Sequence, residues 1–74
     1  MKIDLWLIDR NNPRQKEKFT ADLPAVPQRG DVILVGDAQN YEVTRVIYHF
    51  DDEGRFTGYV TVDAFSLWNY EAKP

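Results

Sequence analysis

A stop-and-start pattern of β-forming runs constrains this chain more than any other feature. Leu23-Pro24-Ala25-Val26-Pro27-Gln28-Arg29-Gly30-Asp31 is a proline-pinned ramp into the apolar run Val32-Ile33-Leu34-Val35. Two long β-like runs follow, Tyr41 to Phe50 and Arg55 to Phe65, joined by Asp51-Asp52-Glu53-Gly54. Proline donates no ladder hydrogen bond, so Pro24 and Pro27 end regular pairing. Gly30 supplies a turn residue that takes positive φ without strain. The pattern calls for a small, strongly bent antiparallel sheet.

The other segments fit that sheet. Lys2 to Ile8 starts in strict alternation, with Ile3, Leu5 and Leu7 on one face and Lys2, Asp4, Trp6 and Ile8 on the other. Asp9 to Pro13 breaks the run, and residues 10–18 read as a basic loop. Lys18 to Leu23 alternates again, with Phe19, Ala21 and Leu23 toward the core, and is expected to pair antiparallel with the first strand. Gly36 to Asn40 reads as a hairpin loop. Within Tyr41–Phe50 the apolar set shifts from Tyr41 and Val43 to Val46, Tyr48 and Phe50. That slip predicts a bulge at Thr44-Arg45. Asp51 to Gly54 fits a type I turn closed by a left-handed glycine. On the returning run Phe56, Gly58, Val60, Val62 and Ala64 share one face; Thr57, Tyr59, Thr61, Asp63 and Phe65 share the other. Gly58 marks a bend. Residues 66–70 read as a last short strand or a packed tail, and 70–74 are expected to fray.

Seventy-four residues make one domain, 1–74, near the lower size limit for a single core. Below about 70–80 residues one core rarely supplies more than ~3–5 kcal/mol. The chain has no cysteine, so neither a disulfide nor a thiolate metal site can reinforce it. Two tryptophans, four tyrosines and four phenylalanines offer the large buried areas a small core needs. No stretch has the form of a signal peptide or approaches ~18 apolar residues, so the expectation is a cytoplasmic protein with no membrane partner.

Net charge is −3, which argues against general DNA binding. The charge is uneven. Arg10, Arg14, Lys16 and Lys18 fall within nine residues, opposed there only by Glu17.

The ramp into Gly30-Asp31, the apolar strand after it, and Tyr41-x-Val43-x-x-Val46 before a long hairpin resemble small SH3-like barrels, including short bacterial and phage proteins of unassigned role. The resemblance covers roughly residues 23–62 and rests on turns and β residues. It implies an all-β fold: a small SH3-like barrel or strongly curled antiparallel sheet of five to six strands. An open antiparallel sheet paired with a second copy through an edge strand is the alternative. Such barrels bind peptides, bind nucleic acids or serve as assembly pieces, so the likeness does not select a use.

The residues argue against catalysis. His49 is the one histidine, and its acidic neighbours Asp51, Asp52 and Glu53 are ordinary turn residues. A metal site would need more histidines or a recognisable spacing. Ser66 is the one serine and lies in no Gly-x-Ser-x-Gly context. The four glycines form no phosphate-cradling loop. Arg29-Gly30-Asp31 spells an adhesive tripeptide but reads as a turn entering a strand. The chain is therefore expected to be no enzyme, with no catalytic or metal-ligating residue and no cofactor.

Surplus aromatics are the better lead. The face of Trp6 and Ile8 and the face of Tyr59 and Phe65 cannot readily both enter one small core. The expected function is a small interaction module that binds another protein, or a second copy of itself, through Trp6, Tyr59, Trp68 and Tyr70. A bacterial or phage accessory or inhibitor protein would fit. The alternative is nucleic-acid binding, with Arg10, Arg14, Lys16 and Lys18 on phosphates and aromatic rings as stacking surfaces.

Overall fold

The structure is a computed structural model and describes residues 1–36 and 39–67. Five strands, β1 (Lys2–Asp9), β2 (Asn12–Asp22), β3 (Val32–Val35), β4 (Gln39–Phe50) and β5 (Phe56–Ser66), form one sheet in the order β2-β1-β5-β4-β3. The sheet curls into a half-barrel, and no helix occurs among the described residues. The all-β, curled five-strand architecture read from the sequence is what forms.

The core lies on the inner, concave face. Ile3, Leu7, Val43, Val60, Val62 and Ala64 are buried there. Register explains why these residues meet. Ile3 lies beside Val60, Leu5 beside Val62 and Leu7 beside Ala64. From the other side Val43 faces Ala64 and Val46 faces Val62. Compact aliphatic side chains therefore form continuous rows across three strands. Each fully buried Val or Ile contributes ~1.5–3 kcal/mol.

The proline ramp closes this face. Leu23 and Val26 pack against the core. The ramp is pinned at both ends: the Leu23 N–H donates to the Met1 carbonyl at 3.0 Å, and the Gly30 N–H donates to the Val43 carbonyl at 2.9 Å. It thus carries the chain from the β2 edge across the core to the opposite edge. Gly30 has φ +93° and sits in a turn closed by the Asp31 N–H donating to the Gln28 carbonyl at 2.9 Å. Arg29-Gly30-Asp31 is this turn.

Both expected irregularities are present. The β4–β5 register shifts between Val43 and Arg45, which leaves Thr44 as the extra residue. A second shift between Tyr48 and Phe50 is accommodated on β5, where Gly58 has φ +91°. The Asp51–Gly54 turn closes with the Gly54 N–H on the Asp51 carbonyl at 3.0 Å, and Gly54 has φ +82°.

Two expectations need correction. The sheet is not wholly antiparallel, because β1 and β5 run parallel. The ramp crosses the whole inner face, so β3 enters at the far edge and β5 fills the gap beside β1 in the same direction. The basic segment is also not a loop. β2 begins at Asn12 and pairs with β1 from Lys2↔Asp22 to Ile8↔Lys16 and, after a register shift, at Asp9↔Asn12. An edge strand can be polar throughout, and Pro13 is tolerated because residues 13–15 fall in the register break and have no β1 partner whose ladder bond would be lost.

Candidate interaction site

The parallel β1–β5 register builds a second, outer face. Trp6 lies beside Asp63 and Ile8 beside Phe65. On the other side of β1, Lys18 lies opposite Trp6 and Lys16 opposite Ile8. Arg45 faces Asp63 across β4–β5. Two rows of side chains result, Lys18–Trp6–Asp63–Arg45 and Lys16–Ile8–Phe65–Glu42. The two outward apolar faces of the sequence reading are therefore one face, since Trp6 and Ile8 sit among the β5 side chains of Asp63 and Phe65.

Trp6, Ile8, Lys16, Thr44, Arg45, Asp63 and Phe65 line an open depression of about 530 Å³, with Lys18 beside it over the Trp6 ring. Its floor is Trp6, Ile8 and Phe65, all at least half-buried. Its rim is charged. The ammonium of Lys16 is 5.3 Å and that of Lys18 5.8 Å from the centre of the Trp6 ring. Cation–π attraction of this kind is worth ~0.5–1 kcal/mol at an exposed site. The opposite rim is fixed by Arg45, whose Nε and Nη2 donate to Asp63 Oδ2 at 3.1 and 3.0 Å. The Asp63 side chain is 13% exposed and that of Arg45 68%. The carboxylate is therefore sunk in the floor and neutralised by a guanidinium that reaches into solvent.

The remaining candidate residues are scattered. Tyr59 is exposed on the outer face beside Lys2, at the far end of β5 from the depression. Arg10 is tied down: its backbone N–H donates to Ser66 Oγ and its Nε to the Ser66 carbonyl, both at 2.8 Å. Arg14 is exposed on β2. Trp68 and Tyr70 lie outside the described residues.

The acidic turn near His49 is a structural device. The Asp51 carboxylate accepts the N–H groups of Glu53 and Arg55, each at 2.9 Å, and Arg55 also pairs with Glu53. The Arg55 N–H, with smaller help from the Glu53 N–H and the Arg55 guanidinium, holds the Asp51 carboxyl below the usual carboxylate value. His49 Nε2 is 2.7 Å from Thr61 Oγ1.

Sequence reading singled out Trp6, Lys16 and Lys18 in separate roles and placed Phe65 on a separate apolar face with Tyr59, but left Arg45 and Asp63 unassigned. Grouping them requires the β1–β5 register. No protein family, curated protein or solved structure matches the chain.

Proposed function

We propose that this protein is a non-enzymatic, cytoplasmic interaction module whose outer-face depression binds an extended protein segment carrying an apolar side chain flanked by carboxylates. The observation that carries this reading is the pair of lysine ammonium groups over Trp6. A large ring on an apolar floor, with Lys16 and Arg45 on the rim and Lys18 over the ring, has the make-up of an interface anchor. The lysines concentrate positive charge there although the chain as a whole carries −3. An anionic partner gains from that local charge, and its apolar side chain gains from the floor. The likeness to small SH3-like barrels suits such a module but does not choose its ligand.

Selection from a display library of random peptides tests the proposal. Enriched sequences should pair an aromatic or aliphatic residue with Asp or Glu, and Trp6→Ala should weaken their binding at least about tenfold. No enrichment over the Trp6→Ala protein would overturn it. So would tight, salt-dependent binding of single-stranded oligonucleotides through the same face, which would make the rim a phosphate site. The outer face argues against stacked bases, because the lysines occupy the ring face on which a base would stack.

A further inference from the structure

Beyond Val43 the outer edge of β4 meets no partner strand among the described residues. Val43 turns its backbone toward that edge: its N–H donates to the Asp31 carbonyl and its carbonyl accepts from the Gly30 N–H, each at 2.9 Å. Thr44 is the extra residue of the bulge, and Arg45 resumes pairing with Asp63. Alternation then points the N–H and C=O of Val46 and Tyr48 outward, along the same edge as those of Val43. This window, residues 45–51, is bounded by the ramp at one end and the Asp51–Gly54 turn at the other.

The inner-face aromatic side chains of the window are largely exposed. Tyr48 and Phe50 extend the inner face past the ramp, and Phe56 touches both rings at centroid distances of 6.3 and 5.6 Å. Tyr48, Phe50 and Phe56 are 52, 59 and 41% exposed. Of the two terminal strands of the sheet, β2 and the four-residue β3, the long one, β2, carries Pro13, Arg14, Lys16 and Lys18, residues that discourage strand addition. The β4 window carries no such guard over Val46 to Phe50.

We propose that the window pairs with the same window of a second copy of this chain, β4 against β4, antiparallel about a two-fold axis at Tyr48. Geometry selects the register. Outward-facing backbone groups must meet outward-facing ones, so partners shift only in steps of two residues. A step toward Val43 collides with the Asp31 pairing, and a step toward the turn shortens the ladder. The central register sets Tyr48 against Tyr48, Val46 against Phe50 and Arg45 against Asp51. The last pair brings Arg45, which already holds Asp63, and Asp51, which already holds Arg55, opposite each other at both ends of the seam, with unlike rather than like charges meeting there. The rings of both copies then form one inner surface across the joined sheets. This contact is centred on Tyr48 and shares only Arg45 with the rim of the Trp6 depression; it does not rest on the binding function proposed for that depression.

Sedimentation equilibrium of the full chain over a range of concentrations tests the proposal. The expected result is a concentration-dependent dimer of twice the 8.6 kDa chain mass. Tyr48→Pro deletes an outward N–H without touching the β4–β5 ladder, and should leave a folded monomer. Tyr48→Lys keeps the backbone but sets like charges together at the axis, and should weaken dimerisation at least about tenfold. It decides the question if the proline variant fails to fold. Trp6→Ala should leave the dimer intact. A wild-type chain that stays monomeric throughout, or a dimer that Tyr48→Lys leaves unchanged, would overturn the proposal.

Discussion

The inner and outer faces of β1 and β5 carry similar apolar side chains and reach different ends. Inside, Ile3, Val60 and Val62 have no exposed surface, because Leu23 and Val26 of the ramp lie across the sheet. Outside, Trp6, Ile8 and Phe65 are covered among the described residues by lysine side chains and by the Arg45–Asp63 pair. In so small a sheet, the face a connection crosses decides what becomes core. The uncrossed face keeps apolar area that side chains alone screen, and such area is available to a partner.

Substitution on the two faces is the strongest way to break that comparison. Ile3→Ala should cost roughly 2–5 kcal/mol, which is comparable to the whole stability of a domain this size. A denaturant titration should find the variant largely unfolded. Trp6→Ala should cost clearly less in the same titration, although its ring is larger. Equal losses would mean that both faces are core and would remove the basis for an outer site.

A smaller effect tests the bend that separates the covered part of the inner face from its open aromatic end. Gly58 has φ +91°, and an added Cβ would meet nothing within 4 Å. The penalty of Gly58→Ala is therefore one of backbone conformation alone, about 1–2 kcal/mol. Thermal unfolding should show the loss. An unchanged melting temperature would show that β5 relaxes there freely.

The smallest effect lies in acid. The carboxyl of Asp22 is held low first by its hydrogen bond from the N-terminal ammonium, and that of Asp51 first by the Arg55 N–H. A depressed pKa in the folded state stabilises above the unfolded carboxylate value, and the contribution is lost as pH falls through the folded value. Both groups are exposed, so acidification through that window should loosen the Met1 end and the β4–β5 turn while the core persists. Carboxyl NMR titrations should place both midpoints below the ordinary aspartate value; ordinary midpoints would contradict this.

Much of the fold was legible because it rests on local rules. Pro24 and Pro27 mark the ramp, the shift from Val43 to Val46 marks the bulge, and Gly54 and Gly58 mark positive φ. The direction of β5 against β1 was not legible, since period-two alternation reads the same in either direction. One clue existed: Leu5-Trp6-Leu7-Ile8 is an unbroken apolar run, a trait of a central strand partly covered on both faces. The extent of β2 was hidden by its own lysines, which suit an edge and resemble a loop. The candidate site was half visible. Trp6 pointed away from the core on alternation alone, but only the register brings Lys16, Lys18, Asp63 and Phe65 around it.

The most direct test of the outer face as the working face is a chemical-shift map. A peptide from the display selection would be titrated into the isotope-labelled chain. The expected result is a continuous patch of shifted signals over Trp6, Ile8, Lys16, Lys18, Asp63 and Phe65, with the signals of Ile3, Val60 and Val62 little changed. Shifts centred instead on Tyr48, Phe50 and Phe56, with Trp6 unmoved, would contradict it.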